Sequence, residues 1–186
     1  MHDGFSKEQK IKIEKFIDLA VEFNKTHNIF SRNKERDVYI KDILDCAPLT
    51  RHIKTNQTVL DLGSGGGFPG ILLAITRPNN KVSLVESSKK KGYFLRKTKE
   101  DLCLTNVKII NKTINKKNTF GVFDVITARA FANTKKILDI TKHNTHPKTK
   151  YLLLKGKKTT INKELKDIDN KRYKCEIIKQ DSRRFE

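Results

Sequence analysis

The sequence has little of what builds covalent or metal scaffolds. Its three cysteines, Cys46, Cys103 and Cys175, stand far apart and form no C-x-x-C pair, which argues against a disulfide framework and against a zinc site. No His, Cys and carboxylate residues cluster at metal-ligand spacing, so no metal is expected. No apolar run approaches the roughly 20 residues of a membrane span, and the opening MHDGFSKEQK lacks the apolar core of a signal peptide. These absences predict a soluble cytoplasmic protein without a membrane partner. There is no G-x-S-x-G elbow and no P-loop lysine, so neither a serine hydrolase nor a P-loop enzyme is indicated. Internal repeats and low-complexity linkers are missing too. Acidic residues are scarce: 21 Asp and Glu stand against 40 Lys and Arg, a net charge of +19. Such a surplus attracts a polyanion. Lys89-Lys90-Lys91, Lys116-Lys117, Lys157-Lys158 and Arg183-Arg184 spread it along the chain. Because the 31 lysines against 9 arginines also fit the codon drift of an AT-rich genome, charge supports RNA as a partner without deciding it.

Glycine is sparse except in one place, where five of the nine fall between Gly63 and Gly70. They follow the apolar run Val59-Leu60-Asp61-Leu62 and precede Pro69 and Ile71-Leu72-Leu73-Ala74-Ile75. This is a strand, a tight turn and a helix, with Pro69 suited to the first helical position because its missing N–H needs no partner there. Glycines let the backbone approach a ligand, and the unpaired N–H groups of a helix start favour negative charge. A second apolar strand, Val82-Ser83-Leu84-Val85, ends at Glu86, where an acidic side chain in such folds binds the two ribose hydroxyls of a nucleotide. The plainer reading, a cap on the lysine-rich helix that follows, fits Glu86 less well.

At 186 residues the chain can bury one sizeable core. The reading divides it into an N-terminal helical segment, residues 1–50, packed on a core of residues 51–186. Ser6 and Gln9 form a capping box, and Ile13, Phe16, Ile17, Ala20 and Phe23 recur at helical spacing to about Lys25. A break over Asn28 to Asn33 separates a second helix carrying Tyr39, Ile40, Ile43, Leu44 and Ala47, which Pro48 is expected to stop. Asp42 and Asp45 near its end read as solvated charges in preference to groups facing a cleft. Further strands are expected at Val107–Ile110, Phe123–Thr127, Tyr151–Lys155 and Cys175–Ile178, with a helix over Lys89 to Leu104 and another capped by Asn133 or Thr134. Strands alternating with helices predict an α/β fold with a doubly wound, mostly parallel sheet. Ligands bind beyond the carboxyl ends of such strands, the edge that gathers Gly63, Glu86, the Lys112 to Asn115 segment, Arg129 and Lys155-Gly156. An NAD enzyme stays open at this point, although G-S-G-G-G departs from G-x-G-x-x-G.

Asp61-Leu62-Gly63-Ser64-Gly65-Gly66-Gly67 is similar to the first motif of the Rossmann-like (class I) S-adenosylmethionine-dependent methyltransferases. Taken with DLGSGGGFPGILLAITRP (61–78), LVESSKKKGYFLRK (84–97), FDVITARAF (123–131) and LLKGK (153–157), the chain resembles the RsmG (GidB) family over most of its length. The resemblance implies S-adenosylmethionine as cofactor and methyl transfer to N7 of one guanine in small-subunit (16S) ribosomal RNA, alone or in a ribosomal particle. It also implies cofactor contacts at Gly63, Phe68, Glu86, Ile114, Asn115 and Arg129, and it makes Arg129 and Lys155 candidates for RNA contact. A monomer is expected. Guanine N7 has an in-plane lone pair, so no residue is required as a general base. Two departures stand out. Asp42-Ile43-Leu44-Asp45-Cys46 replaces the family's histidine-led H-I-L-D-S, and the chain ends at Arg183-Arg184-Phe185-Glu186, where an antiparallel last strand should begin, so that strand is expected to be missing or incomplete. The alternatives are a methyltransferase of another nucleic acid or a small molecule, and a truncated, non-catalytic RNA-binding relic.

Overall fold

Ser6 caps the first helix as its spacing predicts: its Oγ accepts the Gln9 N–H, and the Gln9 side chain accepts the Ser6 N–H. In the computed structural model, which describes residues 4–178, helix α1 (Lys7–His27) buries Ile13, Phe16, Ile17, Ala20 and Val21 along one face. The side chain of Asn24 organises the turn that follows. Its Oδ1 accepts the N–H groups of Ile29 and Phe30 at 2.7 and 3.1 Å, and its Nδ2 donates to the Arg32 carbonyl at 2.8 Å. Short helices α2 (Glu35–Val38) and α3 (Leu44–Cys46) then flank a wider π-helical turn, Tyr39–Ile43, and a 3-10 segment, Ala47–His52, continues the run. Pro48 therefore does not stop helical structure. It enters the first turn of the 3-10 segment, where an absent N–H costs nothing.

The sheet is parallel, in the order β3-β2-β1-β4-β5. Its strands are β1 (Thr58–Leu62), β2 (Lys81–Val85), β3 (Val107–Ile110), β4 (Phe123–Arg129) and β5 (Thr145–Leu154). Helices α4 (Gly70–Thr76), α5 (Lys89–Asp101) and α6 (Thr134–Thr141) make the crossovers, and α7 (Lys158–Lys166) follows β5. Strand order reverses between β1 and β4, which opens a crevice at their carboxyl ends. Alternate strand residues feed two cores, as period-two geometry requires. Val59, Val82, Leu84, Val107 and Val125 pack under α1, α4 and α5; Leu60, Leu62, Val85, Ile126 and Ala128 pack with Ile137 and Ile140 of α6. This is the α/β, doubly wound arrangement expected.

Three elements differ from expectation. β4 runs on to Arg129, and β5 starts at Thr145, well before Tyr151. That early stretch is polar and holds Pro147, which an outer strand tolerates; a register shift between Phe123 and Val125 takes up the irregularity. Cys175–Ile178 is not a strand. These residues are irregular and exposed. The expected start of a last strand at Arg183 lies outside the described residues.

Candidate cofactor site

The glycine turn is shaped by the ends of β1 and β2. The N–H groups of Gly63 and Ser64 both donate to the Val85 carbonyl, at 2.9 and 3.1 Å, and Gly67 closes back on the Ser64 carbonyl at 2.7 Å. Gly63 has φ +64°, and a Cβ there would overlap the ring of Phe131 from the loop after β4. The conformation favours glycine, and any side chain there would have to displace the Phe131 ring. Ala130, between Arg129 and Phe131, is itself left-handed at φ 51°, the kind of local strain that collects at functional sites.

Glu86 is buried and turned toward the loop, not toward bulk water. Its Oε2 accepts the Gly65 N–H at 2.9 Å and its Oε1 the Ser88 N–H at 2.8 Å. The carboxylate thereby ties the glycine turn to the start of α5. Two oxygens still leave lone pairs for further donors. Asp61, on the floor of the turn, is fully buried, and neither carboxyl oxygen has a hydrogen-bond partner; the Ser64 hydroxyl donates to the Asp61 main-chain carbonyl instead, at 3.2 Å. Burial pushes its pKa up to about 7, and the nearby Glu86 charge adds to the rise, against the opposing dipoles of Ser64 and the Gly70 N–H and the charge of Arg129.

Arg129 leaves the end of β4 and reaches the N-terminal helices. Its Nη2 lies 2.6 Å from Asp42 Oδ1 and its Nη1 3.6 Å from Asp45 Oδ2, while the guanidinium sits 5.4 Å from the centre of the Phe68 ring. Arg32 Nε approaches Asp42 Oδ2 at 3.3 Å. Burial works against the charge of Arg129, and the neighbouring anionic groups outweigh it, so its pKa is raised. Asp42 is only 2% exposed, so the solvated reading of that residue does not hold. Asp45 is half-exposed; desolvation raises its pKa, with Arg129 pulling the other way. Phe68 is buried between Phe16, at 4.9 Å between ring centres, and Phe30, edge-on at 6.3 Å.

Of the remaining predicted residues, Ile114 and Asn115 lie away from the loop end, whereas Lys155 lines the same open trough. Ile114 is buried in the α6-side core, and Asn115 is exposed, its side chain accepting the Lys117 N–H at 2.8 Å. Lys155 is mostly buried, paired with Glu164 at 2.8 Å and donating to the Ala132 carbonyl at 2.7 Å, so it clasps β5 to α7 instead of standing free at the rim. Asp61, Phe131 and Asn24 are the residues that sequence reasoning passed over, and Asp42 is the one it took for a solvated charge. Asn24 had left a signal, a polar residue continuing the apolar face of Ala20 and Val21. The partners of Asp42 are set only by folding.

Gly63, Ser64, Phe68, Arg129 and Phe131 share one open trough, which runs on along β5 past Lys158 and Lys174. Its volume, about 2820 Å³, is far beyond what one small molecule fills. No group of His, Cys, Asp and Glu able to hold a metal occurs among the described residues. The loop end fits a nucleoside-containing cofactor: a side-chain-free turn, a buried carboxylate after β2 and an orphaned carboxyl beneath.

Solved structures share this architecture. A ribosomal protein L11 methylase from Lactobacillus delbrueckii subsp. bulgaricus superposes with a TM-score of 0.53 at 16% identity, covering 74% of this chain and 69% of its own. A precorrin-6y C5,15-methyltransferase from Geobacter metallireducens gives 0.52 at 13%, over 76% and 72%. The fold is thus the Rossmann-like α/β architecture that these methyltransferases share. The sequence pattern of one family, GidB: rRNA small subunit methyltransferase G, matches residues 9–184. Relatives of that name are 35% identical over 177 residues in Brachyspira hyodysenteriae (94% of this chain, 86% of the relative) and 33% identical over 144 residues in Chromobacterium violaceum (77% and 69%). The chain belongs to the rRNA small subunit methyltransferase G family.

Proposed function

We propose that the chain transfers a methyl group from S-adenosylmethionine to N7 of a guanine in small-subunit ribosomal RNA. The observation that carries this is the meeting of three strand ends, Gly63 after β1, Glu86 after β2 and Arg129 closing β4: Gly63 and Arg129 line the head of an open trough, and Glu86 is buried behind the turn through Gly65. When bound, the cofactor supplies an electrophilic methyl on a sulfonium. The chain's residues bind and orient. Glu86 receives ribose hydroxyls, the Gly63 turn and Phe68 border the cofactor, the backbone at Ile114 and Asn115 borders the adenine, and Arg129 lies beside the methionine part. A guanine N7 lone pair needs no proton removed before it attacks, so alignment is the main task and no general base is called for. The positive charge gained by the base needs no proton acceptor either.

RNA would be held through its phosphates by lysines along the trough, with strong salt dependence, and the guanine would be presented from a non-helical region. For RNA contact, Lys155 would first have to leave Glu164; Arg129 is nearer the reacting end. The same reading takes the protein as a cytoplasmic monomer in which residues 1–50 form a helical segment on the 51–186 core. Among the described residues no helix is long and apolar enough to cross a membrane. Calorimetric titration with S-adenosylmethionine, followed by labelled methyl transfer to small-subunit particles and to free RNA, tests the proposal. Transfer should occur and should be lost in Gly63→Asp and Arg129→Ala. An intact, cofactor-binding protein that methylates neither would refute it, and transfer to a small molecule without RNA would favour the other methyltransferase reading.

A further inference from the structure

Asp42 touches the site only through another residue. Its carboxylate is 2% exposed and does not line the trough, yet it holds Arg129 at 2.6 Å and Arg32 at 3.3 Å. Arg129 does line the trough, over the Phe68 ring and beside the Gly63 turn, with Asp45 as its second and more distant carboxylate. A cation therefore stands in the wall of a site whose ligand is reactive because its sulfur is also a cation. Unbalanced, that guanidinium would repel a sulfonium. It would not repel the thioether left after transfer, which matches the donor in every group except the methyl and the positive charge.

We propose that Asp42 is a positioning residue: it fixes Arg129 against Phe68 and cancels its charge, so that the site accepts the sulfonium donor in preference to its neutral product. This rests on the reading above that the loop end of the trough holds S-adenosylmethionine. A buried carboxylate suits the task, because its field is screened little by salt and reaches a neighbouring ligand at low effective dielectric. Asp45, half-exposed and farther from the guanidinium, cannot replace it fully.

A structural role for Asp42 would weaken donor and product alike, and the ratio of their affinities separates the two cases. Calorimetry of the wild-type protein and Asp42→Asn with S-adenosylmethionine and with S-adenosylhomocysteine gives that ratio. In Asp42→Asn the donor should lose roughly tenfold relative to the product, the effect of one nearby buried charge. Arg129→Gln removes the cation instead of its counter-charge, and the ratio should move the opposite way. This second variant also keeps the test decisive if circular dichroism shows Asp42→Asn unfolded. A donor-to-product ratio unchanged in whichever variant folds overturns the proposal. If the wild-type protein binds neither ligand, the cofactor reading falls and the role of Asp42 with it. If it binds both, the cofactor reading stands and the ratio judges Asp42 alone.

Discussion

Replacing Asp61 with asparagine turns the buried floor of the glycine turn into a measurable pH dependence. The folded protein keeps this carboxyl protonated up to about pH 7, whereas the ordinary value is 3.8. A raised acid pKa means that the native state holds a proton the unfolded chain has already released, so stability falls as pH rises between the two values. The gap from 3.8 to about 7, at 1.36 kcal/mol per pH unit, amounts to about 4 kcal/mol lost by the time the pH has passed 7. Asparagine has the same shape and never ionises. Urea unfolding of both proteins at a series of pH values isolates the effect, because the other titrating groups cancel in the difference. The advantage of Asp61→Asn over wild type should grow as the pH is raised from about 4 and level off above about 7. A difference that stays flat across that range would refute the burial argument, and an advantage that grows toward acid would reverse its sign.

Other perturbations follow from the same geometry. Gly63→Ala forces a left-handed side chain, at about 1–2 kcal/mol for conformation alone, and drives it into the Phe131 ring; calorimetry should find S-adenosylmethionine affinity lost, and unchanged binding would show that the turn adapts. Asn24→Ala strands the N–H groups of Ile29 and Phe30, costing about 2–3 kcal/mol in denaturant unfolding; a loss under half of that would mean water replaces the side chain. Glu164 has its pKa lowered: burial opposes its charge, but Lys155 and the Thr134 N–H and hydroxyl outweigh burial. Its contribution is therefore present above the ordinary carboxylate pKa and lost as the pH falls through the lowered one. Glu164→Gln should destabilise the protein at neutral pH, with the deficit shrinking in acid, and a deficit independent of pH would argue that packing is what Glu164 provides.

Local features of the fold were legible because each is written in neighbouring residues. The capping box at Ser6, the strand before Gly63 and the acidic end of β2 depend on short spacings, and all appear where the sequence puts them. The misses are cases where a distant partner decides. Asp42 reads as a surface charge until Arg129, far along the chain, is folded against it. The ion pair that Lys155 makes with Glu164 of α7, at 2.8 Å, was likewise not written in any short spacing. Ile177 and Ile178 have strand-forming side chains, yet they stay irregular and exposed although β5 is the outermost strand of the described sheet, so propensity alone does not make a strand. The polar start of β5 was hidden for the opposite reason. Pairing with β4 imposes extended backbone on a stretch whose composition suggests a loop.

The contact between Phe16 and the glycine turn carries one more implication. The Phe16 ring packs on Phe68 and lies so near Gly67 that a Cβ there would come within 2.9 Å of its Cζ. A protein pared back to begin at Arg51 would retain every strand and the whole glycine turn, yet the underside of its cradle would stand open to water. Helix α1, though remote in the chain, works as the last of the formwork against which the turn is cast.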